Sequence, residues 1–247
     1  MLALGEQAIW AVPERAPRAP PHLDERLGRN GEGMSGYVPL NERRHRAHAK
    51  LLDAVGTGQR VLDVGCSSGY LARPLRDRGN TIVGLELDPA AAHEAEAFCE
   101  RVLVGDVETM DLDLESGSFD VVLGGDVVEH LRDPAATLMR LRPLLRPGGR
   151  LILSTPNVAN WAVRLSLLAG RWRYTDRGIL DRSHTHLFTR TTLAETLEHA
   201  GYRVERIDFT VPLPGDSDLL DGLGRAVGRL RPSLFAYQFV AVAQTTP

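Results

Sequence analysis

The sequence V-L-D-V-G-C-S-S-G occupies residues 61–69. Its apolar start is short and rich in valine, which is typical of a strand buried in a parallel sheet. Gly65 and Gly69 then allow a tight turn and a close approach of backbone to a ligand. A helix after this turn would offer free N–H groups and a positive dipole end to an anionic group. The stretch therefore predicts the nucleotide-binding turn after the first strand of a doubly wound sheet.

The composition is that of an ordinary globular α/β protein. The 247 residues, 43% hydrophobic and 25% charged, can bury a sizeable core. A net charge of −3 gives no broad basic field, so we expect no nucleic-acid partner. Cys66 and Cys99 suggest neither a disulfide framework nor a zinc site, which favours the cytoplasm. We expect no membrane span and no signal peptide, because no long apolar run and no basic leader are present.

Strand and helix patterns alternate after the first strand. We predict strands at 60–64, 80–85, 101–104, 119–123, 149–154, 203–211 and 234–243, and helices at 41–55, 69–78, 89–98, 134–145, 158–169 and 190–200. Asp88 and Asp133 each precede a proline, and Thr189 precedes the last helix, so all three are predicted helix N-caps. This alternation predicts a mostly parallel sheet with helices on both faces.

The chain divides at about residue 40. Residues 1–40 are rich in proline, arginine and glycine, so we expect a flexible segment that can serve as a lid. Residues 41–247 are expected to form one domain, with an insertion at about 156–188. The part of this insertion that spans 157–174 is amphipathic and aromatic, and is interpreted as a lid, a helix on the core or an oligomer contact. A homodimer is one arrangement this leaves open.

Five motifs in a fixed order carry a family resemblance. After V-L-D-V-G-C-S-S-G come V-G-L-E-L-D-P, G-D-V-E, F-D-V-V-L-G-G-D-V-V-E-H-L and L-R-P-G-G-R-L-I-L-S-T-P-N. In order and spacing they resemble the class I S-adenosylmethionine-dependent methyltransferases over roughly residues 45–211. The resemblance implies a Rossmann-like, doubly wound seven-stranded sheet, mostly parallel, with a reversed last strand. It also implies S-adenosyl-L-methionine as cofactor, S-adenosyl-L-homocysteine as product, and an insertion on the acceptor side.

The resemblance implies a cofactor site around the glycine turn. The residues expected to surround the amino-acid part of the cofactor are Gly65, Cys66, Gly69 and Tyr70. Asp63 is expected to orient that loop and the cofactor ammonium, or alternatively to anchor the loop alone. The family commonly has glycine where this chain has Ser67, whose small side chain we expect the cofactor to tolerate.

The nucleoside part of the cofactor would lie at the next two strand ends. Glu86 ends an apolar strand, where a carboxylate can accept hydrogen bonds from both ribose hydroxyls. Its alternative interpretation is a solvated charge ahead of a helix. Asp106 is expected to accept from the adenine amino group, with Leu87 and Val107 on either side of the ring. For Leu87 and Val107, ordinary core packing is the alternative.

The fourth strand ends in G-G-D, followed by V-V-E-H at residues 127–130. The resemblance places such strand ends opposite the cofactor's sulfonium, so Asp126 is expected to bind the cofactor or the acceptor. His130 is the leading candidate for a general base, because an unperturbed imidazole titrates near pH ~6.5. A capping or packing role for His130 is the alternative.

Two further histidines lie in D-R-S-H-T-H-L-F-T, residues 181–189. His184 and His186 are interpreted as a base, a clamp on the acceptor, or a metal pair with Asp181 or Asp176. No third histidine is close to them in sequence, so we predict no metal site.

These residues favour methyl transfer to oxygen on a small molecule. Attack by a hydroxyl needs a base, which His130, His184 or His186 can supply, whereas a neutral amine needs only desolvation. The acceptor is expected to be a small molecule such as a secondary metabolite, sugar or carboxylate. The alternatives are an N-methyltransferase and a non-catalytic protein that binds S-adenosylmethionine or S-adenosylhomocysteine. A nicotinamide-dependent oxidoreductase fits poorly, because G-D-V-E and D-V-V-E-H have no role in it.

Overall fold

A computed structural model describes residues 46–211, 224, 226 and 228–246 of the chain. The predicted flexible segment at 1–40 lies outside the described residues, as does the start of the predicted helix at 41–55. Within the described part, the alternation of strands and helices predicted from the sequence is confirmed.

Among the described residues, seven strands and six helices form the framework of the site. The strands are β1 Arg60–Val64, β2 Thr81–Glu86, β3 Arg101–Val104, β4 Phe119–Gly125, β5 Leu145–Pro156, β6 Tyr202–Thr210 and β7 Gln238–Thr245. The helices are α1 Arg46–Val55, α2 Ala72–Asp77, α3 Pro89–Ala95, α4 Pro134–Leu141, α5 Trp161–Leu168 and α6 Arg190–His199. Single 3-10 turns at Val128–His130 and Arg142–Leu144, and a short helix at Pro232–Phe235, complete the elements used below.

The seven strands form one sheet in the order β3-β2-β1-β4-β5-β7-β6. Strands β1 to β5 pair in parallel, and β7 is antiparallel to both β5 and β6. The reversed last strand implied by the family resemblance is therefore confirmed. The strand order turns back between β1 and β4, and such a switch point leaves a crevice at the carboxyl ends of the strands.

Both faces of the sheet are buried, as the alternation of strand side chains requires. On β1, Val61 packs in a cluster with α1 and α2, whereas Leu62 belongs to the cluster under α4 and α6. On β4, Val121 and Val122 divide between the two clusters in the same way. The sheet is thus held between two helical layers, which fixes the positions of its strand ends.

The helix starts follow the capping chemistry predicted from the sequence. Asp88 accepts a hydrogen bond from the N–H of Ala90, and Asp133 accepts one from Ala136. Thr189 accepts from the N–H of Thr192 in a reciprocal capping box. The predictions for all three N-caps are confirmed.

The last strand begins later than predicted. The sequence pattern placed a strand at 234–243, but Pro232–Phe235 forms a short helix and β7 begins at Gln238. Proline at the first helical position favours that helical turn. The fifth strand, by contrast, begins earlier than predicted: β5 starts at Leu145 rather than at residue 149, because Leu145 pairs with Phe119 ahead of a bulge. Within the part of the chain that the structure describes, no helix combines the length and apolar character needed to cross a bilayer.

Candidate active site at the carboxyl ends of the strands

The loop after β1 is tied to the end of β2 by backbone hydrogen bonds. The N–H groups of Gly65 and Cys66 both donate to the carbonyl of Leu85, at 2.7 and 3.1 Å. The N–H of Ser67 donates to Oε2 of Glu86 at 2.7 Å. The loop is therefore fixed against the neighbouring strand at the sheet's switch point.

The backbone of this loop turns through left-handed conformations. Gly65, Ser67 and Gly69 have φ angles of +68°, +49° and +79°. A Cβ on Gly65 would lie 2.6 Å from Cγ2 of Val127, and one on Gly69 would lie 2.8 Å from Cδ2 of Phe98. A larger residue at either glycine is therefore disfavoured for two reasons, the left-handed φ angle and the lack of space for a Cβ. Ser67 adopts a left-handed conformation that the glycine common in the family would adopt with less strain.

Asp63 on β1 is buried with a carboxylate that is only partly satisfied. Its side chain is 1% exposed, and Oδ2 has no hydrogen-bond partner among the described residues. Burial, reinforced by the charge of Glu86, raises the pKa of Asp63 to about 7. A buried polar atom without a partner calls for an explanation, and an incoming ammonium group supplies one.

Glu86 lies at the end of β2 and already holds three backbone N–H groups. Its Oε1 accepts from Leu87 and Asp88, at 2.9 and 3.0 Å, and its Oε2 accepts from Ser67. Because a carboxylate offers about four acceptor positions, one remains for a ribose hydroxyl. Leu87 beside it is 62% exposed, so its side chain is accessible for the predicted contact with the adenine ring.

Asp106 and Val107 follow β3, where the adenine end of the cofactor was predicted. Val107 is buried at 7% exposure, while Oδ2 of Asp106 forms an ion pair with Arg132. Arg132 also pairs with Glu108, whose Oε2 lies 3.0 Å from its Nε. Burial acts to raise the pKa of Glu108, but the backbone N–H groups of Asp133 and Arg132 and the ion pair with Arg132 outweigh it and lower that pKa. Nothing in the sequence indicated Arg132, since a lone arginine in a loop carries no motif.

Asp126 closes β4 in a strained and well-supported conformation. Its φ angle is +57°, which a non-glycine residue adopts only at some cost. The hydroxyl of Ser154 donates to Oδ1 at 2.7 Å, and Gln238 on β7 donates to the same oxygen. Strain that is held in place by neighbours is typical of functional sites. Ser154 and Gln238 carry no sequence signal of their own, because only the sheet pairing brings them to Asp126.

Glu129 occupies the 3-10 turn that follows and is almost fully buried. Its side chain is 1% exposed, and within the described ranges neither carboxylate oxygen makes a well-formed hydrogen bond. Burial, with the nearby charge of Asp126, raises the pKa of Glu129 well above its usual range, and the hydroxyl of Thr155 offsets this only in part. Glu129 has no predicted role of its own from the sequence, although it precedes His130 in the V-V-E-H motif.

The structure brings His130 and His184 together. Their ring centroids lie 4.9 Å apart in an edge-to-face arrangement. Nδ1 of His130 lies 3.2 Å from the carbonyl of Ser183, and Nδ1 of His184 lies 3.2 Å from that of Ile179. Since carbonyls only accept, each Nδ1 carries a hydrogen, so in the neutral form of each ring the lone pair lies on Nε2. Burial, and then the neighbouring His130, lower the pKa of His184, so it is neutral at neutral pH.

His186 has a different position from His184. Its Nδ1 contacts the carbonyl of Leu131 at 3.0 Å, and its backbone N–H donates to the carbonyl of Glu129. Thr185 donates from both its backbone N–H and its hydroxyl to the same 3-10 turn. His186 and Thr185 thus dock the insertion onto the end of β4, and this docking brings His184 to His130.

Comparison with known proteins identifies the class that this fold and site define. Residues 40–207 match the family model described as a methyltransferase domain. A Mycolicibacterium smegmatis protein described as a "probable S-adenosylmethionine-dependent methyltransferase" is 34% identical over 66% of this chain and 59% of its own length. A ubiquinone biosynthesis O-methyltransferase from Cereibacter sphaeroides is 33% identical over 51% of this chain and 53% of its own. The chain thus spans a little over half the length of these curated relatives.

Solved structures share the fold. An S-adenosylmethionine-dependent methyltransferase from Mesorhizobium loti matches with a TM-score of 0.55 at 21% identity, over 80% of this chain and 95% of that one. The chain belongs to the class I S-adenosylmethionine-dependent methyltransferase family. Its cofactor is S-adenosylmethionine, and the residues present fit it: the buried Oδ2 of Asp63, which has no hydrogen-bond partner among the described residues, suits an ammonium, and Glu86 keeps an acceptor position.

Proposed function

We propose that this chain transfers the methyl group of S-adenosylmethionine to an oxygen of a small-molecule acceptor and releases S-adenosylhomocysteine. The observation that carries the proposal is the pair of His130 and His184 beside the end of β4, each with an available Nε2. Curated relatives named as O-methyltransferases add support for oxygen as the acceptor atom.

Most of the predicted site residues would bind the cofactor, and Asp126 would help to orient the reactants. Asp63, Glu86 and the loop of Gly65, Cys66 and Gly69 would hold the cofactor, with the remaining predicted contacts at Tyr70, Leu87, Asp106 and Val107. The bound cofactor supplies a methyl carbon already activated by its positive sulfur, so the protein chiefly has to align the acceptor. Asp126, rigidly held by Ser154, would orient the acceptor or the cofactor.

The acceptor hydroxyl would lose its proton at the two histidines. His130 is exposed and its Nδ1 faces the carbonyl of Ser183, so Nε2 of the neutral ring is the atom that can take the proton, with His184 next to it. The lowered pKa of His184 keeps that ring neutral, which leaves it able to accept a proton at neutral pH. Together, these features favour a hydroxyl acceptor over an amine, whose attack needs no base.

An acceptor screen with matched variants tests the proposal. Purified full-length chain is supplied with S-adenosylmethionine and panels of phenols, catechols, sugars, carboxylates and amines, and S-adenosylhomocysteine is quantified. We expect release with hydroxyl acceptors, and we expect His130→Ala to lower turnover while calorimetric binding of S-adenosylhomocysteine is retained. Turnover with amines alone would indicate an N-methyltransferase, and unchanged turnover of His130→Ala with a hydroxyl acceptor would remove His130 as the base.

A further inference from the structure

Three side chains of metal-binding type converge at the end of β4. Glu129, His130 and His184 each offer one ligand atom, and these atoms lie within 4.8 Å of one another. They come from two separate segments, the 3-10 turn after β4 and the insertion after β5. Ligands bound to one ion at about 2.0–2.2 Å are separated by roughly 3–3.6 Å, so shifts of about 1 Å would close the set.

The two imidazoles are oriented as metal ligands are. Each donates its Nδ1 hydrogen to a backbone carbonyl, His130 to Ser183 and His184 to Ile179. In known metal sites the non-ligating nitrogen makes this kind of hydrogen bond, which fixes the tautomer and directs the other nitrogen at the metal. The tautomers that the structure requires are therefore the ones that metal binding requires.

Glu129 provides an independent observation. Its carboxylate is 1% exposed and makes no well-formed hydrogen bond within the described ranges, although it lies directly beside the two rings. A buried carboxyl group whose oxygens make no well-formed hydrogen bond is costly in either protonation state, and it is rarely left so in a native protein. A cation held between the carboxylate and the imidazoles would remove that cost.

The insertion is fixed firmly enough to hold such a site. The N–H groups of Thr185 and His186 donate to the carbonyl of Glu129 at 2.9 and 3.0 Å, and the hydroxyl of Thr185 donates to Leu131 at 2.6 Å. These contacts set the spacing between the two segments on which the three candidate ligands lie.

We propose that Glu129, His130 and His184 bind one divalent transition-metal cation of the Zn²⁺ type. Two imidazoles and one carboxylate suit Zn²⁺ and similar ions better than Mg²⁺ or Ca²⁺, which prefer oxygen ligands throughout. Three protein ligands leave a coordination position open, as in catalytic sites. This differs from the pair of His184 and His186 considered from the sequence, because His186 is engaged with Leu131 instead.

The catalytic consequence rests on the proposed O-methyl transfer. An acceptor hydroxyl at the open position would lose its proton to water, because a bound cation lowers the pKa of a ligating hydroxyl. The resulting oxygen would form the C–O bond as the S–C bond breaks, with the bonding electrons passing to sulfur. With the cation bound, Nε2 of His130 is a ligand and no longer a base, since both roles use the same lone pair.

Titration with Zn²⁺ alone tests the site. Tag-free full-length chain is stripped with a chelator, dialysed and titrated with ZnCl₂ by calorimetry, and Co²⁺ is added in parallel as a spectroscopic probe. We expect one Zn²⁺ per chain and a visible Co²⁺ spectrum typical of four or five ligands. Glu129→Gln and His184→Asn should each weaken Zn²⁺ binding by at least ~10-fold, while His93→Asn, an exposed histidine on α3, should not.

The outcomes separate this inference from the proposed function. S-adenosylhomocysteine binding by each variant shows that it is folded, and His184→Asn, whose ring is only partly buried, serves if Glu129→Gln does not fold. Absence of saturable Zn²⁺ binding, or equal weakening in His93→Asn, would overturn the site even if the stripped enzyme methylates hydroxyls. Stoichiometric Zn²⁺ binding without methyl transfer to any hydroxyl acceptor would leave the site standing and refute the proposed function.

Discussion

The backbone N–H of Ser67 donates to Oε2 of Glu86 over 2.7 Å, which joins the loop after β1 to the end of β2. Glu86 therefore shapes the cofactor loop before any ligand arrives, in addition to the predicted contact with ribose. Its other oxygen accepts from Leu87 and Asp88, so one carboxylate organises two loops at the sheet's switch point.

Glu86→Gln should weaken cofactor binding by about 10-fold or more. The amide presents N–H groups where one carboxylate oxygen now accepts, and an unpaired buried group of this kind costs roughly 1–3 kcal/mol. Calorimetric titration with S-adenosylhomocysteine measures the loss. Glu100→Gln is the matched control, because Glu100 is a half-exposed partner of Arg60 and should leave the affinity unchanged. Equal affinities for Glu86→Gln and the wild-type chain would contradict the role given to Glu86.

Ser67→Gly should stabilise the protein by about 1 kcal/mol. A left-handed φ of +49° costs a non-glycine residue roughly 1–2 kcal/mol, and the greater freedom of glycine in the unfolded chain returns part of this. Urea unfolding measures the change. Ser67→Ala separates the causes, since it removes the buried hydroxyl but keeps Cβ. Should Ser67→Ala stabilise as much as Ser67→Gly, the hydroxyl and not the backbone is the source of the cost.

The sheet and its caps could be predicted from the sequence because their signals are local. Apolar runs of strand length and the pairs Asp88-Pro89 and Asp133-Pro134 each depend on a few neighbouring residues. The helical turn at Pro232–Phe235 was missed because its Phe235 alternates with Tyr237 and Phe239 in a pattern that also fits a strand, and a proline is compatible with either start.

The partners within the site could not be predicted because they depend on contacts between distant segments. Gln238 reaches Asp126 only through the pairing of β7 with β5, and Thr185 holds His184 near His130 only through docking on the turn after β4. No periodicity or spacing in the sequence encodes such contacts. The roles assigned to the individual cofactor and catalytic residues stay predictions, which the variants described here test.

Asp63→Asn should make the cofactor-free protein more stable at neutral pH. The pKa of Asp63 rises from 3.8 in the unfolded chain to about 7 in the folded one. Between these values the folded state binds more protons, so the free energy of unfolding falls by up to about 1.4 kcal/mol per pH unit as the pH rises. The variant lacks this contribution to the slope, which is present from about pH 4 to 7.

Urea unfolding of the wild-type chain and Asp63→Asn at a series of pH values measures the difference. The gap in stability should widen from pH 4 to pH 7 and then stay constant, while binding of S-adenosylhomocysteine by the variant becomes weaker. A gap that does not change with pH would show that Asp63 is ionised in the folded protein.

Gly65→Ala should lower the free energy of unfolding by more than the same substitution at a glycine that has the same φ angle but open surroundings. Gly65 and Gly117 both have a φ of +68°, but a Cβ on Gly65 meets Val127 at 2.6 Å, whereas one on Gly117 meets nothing within 4 Å. Gly117→Ala therefore reports the cost of the φ angle, roughly 1–2 kcal/mol, and Gly65→Ala reports that cost plus the clash. Urea unfolding of both variants gives the difference, and Gly65→Ala with Val127→Ala should recover part of it.

Thr185→Val should lower turnover without changing cofactor affinity. Valine keeps the shape of threonine but cannot donate to the carbonyls of Leu131 and Glu129, at 2.6 and 3.1 Å, so the insertion would hold His184 less firmly. Loss of positioning worth about 1.4 kcal/mol would lower kcat by about 10-fold. Steady-state kinetics with the acceptor from the screen measures kcat and KM, and calorimetry measures S-adenosylhomocysteine binding. The control is Thr196→Val on α6, whose hydroxyl bonds only within its own helix; an equal loss in both variants would show that docking by Thr185 does not position His184.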